Sequence, residues 1–321
     1  MTILFAIAND SYSILLADRR ITVDGKPTED EFNKVCVLFC DDARVAIGFT
    51  GLATYGGFNT SDWLVSTLAE IGNKTGAIAE MLTELGVCAR DKLKSLLVKD
   101  KRLSFLITGF VYWEEKPRPV AYVLSNYANT QSPTDDFNLR LIASTDGTIL
   151  EVAGAINHLP TVTETSLRRL LTKGLNPSYV LRFAVKQLQN FSVDGKSSSL
   201  IGTQSNSAII LAPQNSTVTT TYHSAFHSYW AYGSNMVVTK GIASYGPEIF
   251  SGTVMAGEDI RKKDPCWCGS GQKFKDCHLK KFGSFYVRHQ AFKKPMYYVS
   301  WVDFDESRPS GRTFCVSSGY E

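Results

Sequence analysis

Thr2, Asp18 and Lys34 place a hydroxyl, a carboxylate and an amine near the start of the chain. Removal of Met1 would add a fourth group, the free α-amine of Thr2 beside its own hydroxyl. A hydroxyl nucleophile next to an amine base, with an ion pair to fix the geometry, is the equipment of an amine-activated acyl-transfer enzyme. The α-amine suits the role of base because its reference pKa is about 8, against about 10.4 for a lysine side chain. A neighbouring Lys34 cation would lower it further, and Asp18 would hold Lys34 in place. A second reactive group lies far downstream. Cys266, Cys268, Cys277 and His278 form two close pairs on either side of Gly269 and Gly271. Three thiolates and one imidazole complete a tetrahedral zinc shell with no open position, so the expected metal is structural.

The elements that must position these groups can be read from apolar spacing. Strand-like runs at 3–8, 13–17, 35–40 and 44–49 are separated by Asn-Asp, Asp-Gly and Asp-Asp turn signals. Two helices follow, the first capped by Thr60 or Ser61 with Leu64, Leu68 and Ile71 on one face. The second carries Ile78, Leu82, Leu85, Ala89, Leu93 and Leu96 at helical spacing. Strands return at 104–113 and 119–127, then at 139–144 and 148–153, the latter two read as a hairpin around Asp146-Gly147. Helices over 163–172 and 177–191 and a hairpin over 207–212 and 217–222 complete the body. The order implies an α+β layered domain with helices covering sheet faces. The stretch 231–260 has no clear period and is expected to be irregular. A terminal strand pair is expected at 296–304 and 312–317.

Taken together, Thr2-Ile3, Ala17-Asp18-Arg19-Arg20-Ile21-Thr22, Asn33-Lys34-Val35 and Gly48-Phe49-Thr50-Gly51 resemble the proteasome β-subunit and bacterial proteasome-like family of N-terminal nucleophile hydrolases. The resemblance implies a four-layer αββα sandwich over residues 2–230. It implies Thr2 as nucleophile, Asp18 and Lys34 as its supports and Gly51 N–H as oxyanion donor. Asp194 and Ser197 match the family's supporting aspartate and serine, whereas Ala155 stands where the family has a second supporting serine. The segment from Cys266 to His278 resembles the SEC-C motif, which implies a zinc-binding module over 261–285, with 286–321 as a further strand pair. Two functions follow as alternatives. One is a threonine-dependent amide or peptide hydrolase with a zinc-stabilised recruitment module. The other is an inactive scaffold of the same fold, with the module as its binding part.

Charge is unevenly divided. Residues 261–294 hold ten Lys/Arg against two Asp/Glu, a net of +8, and the remainder holds 24 against 29, a net of −5. A compact basic appendage with Trp267, Phe274 and Phe282 interleaved suits a protein, ribosome or RNA partner. An ordinary solvated surface has the same composition. His223 and His227 are spaced for two ligands on a helix, yet their setting reads as a strand. The seven cysteines form no disulfide framework. With no apolar run of membrane-spanning length, and neither a basic start nor a full apolar run to make a signal peptide, a cytoplasmic protein is expected. Ring-forming homo-oligomers are a further implication of the family resemblance.

Overall fold

In a computed structural model of the chain, the described residues are 2–23, 26–29, 32–127, 133–144, 146–154, 159–193, 200–214, 216, 218–223, 230–231, 236–239, 242–245, 263, 273–276, 286–288 and 297–299. The first strands are β1 (Ile3–Ala8), β2 (Tyr12–Asp18), β3 (Ile21–Val23), β4 (Lys26–Glu29), β5 (Val35–Phe39), β6 (Ala43–Gly51), β7 (Thr54–Tyr55) and β8 (Phe58–Asn59). They lead into α1 (Thr60–Gly72) and α2 (Ile78–Ser95). Next come β9 (Leu103–Val111), β10 (Arg118–Ser125), β11 (Asn138–Leu141) and β12 (Ile149–Gly154), then α3 (Thr161–Thr172) and α4 (Pro177–Val193). The remaining strands are β13 (Ser205–Leu211), β14 (Val218–His223), β15 (Trp230–Ala231), β16 (Met236–Thr239), β17 (Ile242–Tyr245), β18 (Tyr286–Arg288) and β19 (Tyr297–Val299).

Two large sheets result, one of six strands in the order β12-β1-β2-β13-β14-β15 and one of seven in the order β11-β10-β9-β6-β5-β16-β17. All pairings in them are antiparallel except that of β16 with β5. The described residues therefore form a mixed α and β fold, with four α-helices and mainly antiparallel sheets.

Why β1 and β2 read as unbroken apolar runs is now clear, since both of their faces are covered. Leu4, Ala6, Ala8, Leu15 and Ala17 share a cluster with Val37, Ala46 and Leu106 of the other sheet. Ile3, Phe5, Ile7, Ile14 and Leu16 instead pack with Leu167, Leu171, Leu181 and Leu188 of α3 and α4. On the second sheet, Ile47, Phe49, Phe105 and Ile107 pack with Leu64, Leu68, Leu82 and Leu85 of α1 and α2. The helical spacing in the sequence thus marks the buried stripes of α1 and α2.

Several local expectations change. Asn59, rather than Thr60 or Ser61, caps α1, its side chain accepting from Ser61 N and Asp62 N. The strands flanking Asp146-Gly147 do not form a hairpin, because β11 pairs with β10 while β12 pairs with β1. The chain crosses there from one sheet to the other, and a turn signal does not say which sheet its second arm will join. Regular strands also occur within 231–260, where β16 adds to the free side of β5 and β17 extends it. Near the end, β19 pairs with β18; the expected second strand at 312–317 lies outside the described residues.

Candidate active site

Antiparallel pairing of β1 with β2 sets Leu4 opposite Ala17, so Asp18 arrives beside the start of β1. Its carboxylate is fully buried and held by backbone from three directions. Ile3 N donates to Oδ1 at 2.8 Å, while Arg20 N and Gly202 N donate to Oδ2 at 3.1 and 3.0 Å. These donors satisfy the hydrogen-bonding capacity of a carboxylate that no water reaches.

Lys34 comes from the other sheet, immediately before β5, and is 1% exposed. Its Nζ donates to Thr2 Oγ1 at 2.5 Å and to the Arg20 carbonyl at 2.5 Å, and lies 3.5 Å from Asp18 Oδ1. A buried ammonium is tolerable only with such compensation. The structure therefore brings Thr2, Asp18 and Lys34 into one buried cluster where the two sheets meet.

Asn33 fixes the approach of Lys34. Its Oδ1 accepts from Val35 N at 2.9 Å and from Asn206 Nδ2 at 2.8 Å, and its carbonyl accepts from Ser61 Oγ at 2.8 Å. Asn206 Oδ1 in turn accepts from Arg19 Nη1 at 2.8 Å. This chain of polar contacts ties the first sheet (Arg19, Asn206) to the second (Asn33) and to α1 (Ser61).

Gly51 ends β6 with φ of +105°, and a Cβ there would overlap the carbonyl of Arg102. The glycine is thus required by backbone approach to β9. Its neighbour Thr50 reaches the site directly, Oγ1 donating to the Thr2 carbonyl at 3.5 Å.

The residue that sequence reasoning missed is Gly154. It has φ of +110°, stands opposite Ile3 in the β1–β12 pairing, and any Cβ on it would overlap the Thr2 carbonyl oxygen. The sequence signals it only as the glycine that precedes Ala155. Asp194, Ser197 and Ala155 lie outside the described residues, as do Cys266, Cys268, Cys277 and His278. Among the described residues no group of His, Cys, Asp and Glu could hold a metal ion.

His223 lies on β14, in agreement with the strand reading, and His227 lies outside the described residues. The His223 ring is buried, its Nε2 2.8 Å from Ser207 Oγ, and desolvation pushes its pKa down to about 3. Burial thus favours its neutral form.

Comparison with known proteins gives a short motif and distant structural likenesses. The SEC-C motif is matched over residues 263–280. A search of curated proteins gives no match. Among solved structures, the chain is similar to Anbu (ancestral beta-subunit) from Yersinia bercovieri, with 14% identity and a TM-score of 0.45 over 65% of this chain and 81% of that one. It is also similar to an Anbu (Gly-1) mutant from Hyphomicrobium sp. strain MC1, with 12% identity and a TM-score of 0.48 over 70% of this chain and 89% of that one.

Proposed function

We propose that the chain is a threonine-dependent amide hydrolase of the N-terminal nucleophile type, acting on a peptide or another amide. The observation that carries this reading is the 2.5 Å hydrogen bond from Lys34 Nζ to Thr2 Oγ1 inside a buried cluster completed by Asp18. Processing that leaves Thr2 at the head of the chain would turn its nitrogen from an amide into an amine able to accept a proton. The Thr2 hydroxyl then attacks the substrate carbonyl carbon, and its proton passes to that amine. Lys34 stays charged and donates to Oγ1, stabilising negative charge as it develops there. Asp18, itself held by three backbone N–H groups, keeps the ammonium in place. Gly51 N–H is assigned to the oxyanion, a contact worth about 3 kcal/mol in the transition state. Collapse of the tetrahedral adduct breaks the C–N bond, and the leaving amine takes the proton back from the α-ammonium. Water, deprotonated by the same amine, hydrolyses the resulting ester and frees Thr2. Asp194 and Ser197 are assigned as polar support on the resemblance alone.

The rest of the reading joins this site to its setting. The three packing clusters support an αββα sandwich. The SEC-C match supports a structural zinc held by Cys266, Cys268, Cys277 and His278, whose donor set suits zinc and leaves no position for substrate. This basic module would recruit a protein, ribosome or RNA partner in the cytoplasm, and a homo-oligomer would suit the family resemblance. No helix among the described residues is long and apolar enough to cross a membrane. Ala155, lacking the hydroxyl that the resemblance calls for, favours a second reading in which the same domain is an inactive scaffold. One experiment separates the two. Intact mass spectrometry should show a chain beginning at Thr2 that gains one equivalent of a peptidyl epoxyketone. Thr2→Ala should abolish both labelling and peptide hydrolysis while leaving the circular dichroism spectrum unchanged. Quantitative retention of Met1, or full activity in Thr2→Ala, would sink the hydrolase reading.

A further inference from the structure

Away from the Thr2 cluster, α3 and α4 enclose a groove of about 520 Å³ on the outer side of the six-stranded sheet, a size within the range of ligand sites. Its floor is apolar. Leu170, Leu175 and Phe183 line it while packing, partly buried, on the core beneath. Tyr179 forms one wall, is 53% exposed, and has the Arg182 guanidinium 5.8 Å from its ring centroid.

Arg169 on α3 and Lys173 at its C-terminal cap, four residues apart, also line the groove. Neither forms an ion pair among the described residues. Residues 161–193 contain five Lys/Arg and a single acid, Glu164, and Glu164 is engaged by Arg168 at 3.0 Å. Among the described residues no carboxylate lines the groove to offset its two cations. An ordinary solvated helix face would carry such cations too, but would not set them beside an apolar floor and a half-exposed aromatic ring.

The occupant must match both properties. A single-stranded nucleic acid would need flat rings for its bases to stack on, whereas the floor here is largely aliphatic and Arg182 already lies over Tyr179. A peptide meets the conditions better. We infer that this groove binds a short acidic peptide segment of a partner protein. A bulky apolar side chain rests on Leu170, Leu175 and Phe183, and flanking carboxylates face Arg169 and Lys173.

The test uses the full chain and a fluorescein-labelled hexapeptide, Asp-Glu-Leu-Phe-Asp-Glu, read by fluorescence anisotropy. Saturable binding is expected, weakening about tenfold as salt rises from about 50 to about 500 mM, because exposed charges are screened over that range. The double variant Arg169→Glu with Lys173→Glu should weaken it at least about tenfold, as should an Asn/Gln version of the peptide. Tyr179→Ala should weaken the peptide without changing its salt dependence. Unchanged circular dichroism in each variant excludes unfolding as the cause. No saturable binding at millimolar peptide, or equal binding by wild type and the double variant, would overturn the inference. So would tighter binding of oligouridylate that the double variant loses, or concentration-dependent dimerisation that it loses, since those results assign the groove to RNA or to a second copy of the chain.

Discussion

Replacing Lys34 by Met removes one charge from a fully enclosed pair and leaves its partner behind. At 3.5 Å from Asp18 Oδ1, the gross attraction is about 5 kcal/mol at an effective dielectric constant near 20. Much of that is offset by the cost of taking both ions out of water, so the net worth of the pair is smaller. The cost of breaking it is different in kind. Asp18 is fully buried, and an orphaned buried carboxylate typically costs about 3–5 kcal/mol. Its three backbone N–H donors soften that figure to about 3 kcal/mol, while the bonds from Lys34 to Thr2 Oγ1 and the Arg20 carbonyl are lost as well. Asp18→Asn with Lys34→Met leaves no buried charge, so the double variant should be more stable than the sum of the single losses by about 1–3 kcal/mol. Urea unfolding of the four proteins, followed by tryptophan fluorescence, measures this coupling. A loss below about 1 kcal/mol in Lys34→Met, or additivity within about 0.5 kcal/mol, would refute the description of the pair as a desolvated unit. Hydrolysis should fall at least about a hundredfold in Lys34→Met, in line with loss of a group acting on the reacting proton.

Further outcomes can be checked separately. Gly154→Ala should cost about 2–4 kcal/mol and slow epoxyketone labelling, because its backbone angle disfavours a side chain and its Cβ would overlap the Thr2 carbonyl; wild-type labelling would show that Thr2 tolerates the shift. His223 binds its proton more weakly folded than unfolded, so the stability it protects is present above about pH 6.5 and is lost as pH falls toward about 3. At pH 5 the loss is about 2 kcal/mol relative to pH 7.5, and His223→Gln should remove that increment from the pH dependence of urea unfolding; an unchanged profile would contradict the buried neutral ring. Zinc measured after exhaustive dialysis should be one equivalent per chain and should fall sharply in Cys266→Ser with Cys268→Ser. Less than half an equivalent in the wild-type protein would remove the structural-zinc reading.

What the sequence determined by itself is the chemistry available and most of the local elements. Thr2, Asp18 and Lys34 were legible as a group through the resemblance that their flanking residues carry, and the structure brings their side chains together. The stripes of α1 and α2 were legible because helical burial imposes a period of 3.6. The buried runs of β1 and β2 were legible as strands, though not which helices would cover them. Tertiary structure decided everything that depends on which strand lies beside which. Asp18 and Lys34 meet only because the end of β2 and the start of β5, in different sheets, come to the same place. Asn33, Asn206 and Arg19 form one polar chain only because that place draws three distant segments together. Gly154 matters because β12 returns to β1 across the body rather than folding back on β11. Turn signals and propensities act over a few residues, whereas strand partners are chosen by burial of whole faces, which no local stretch of sequence contains.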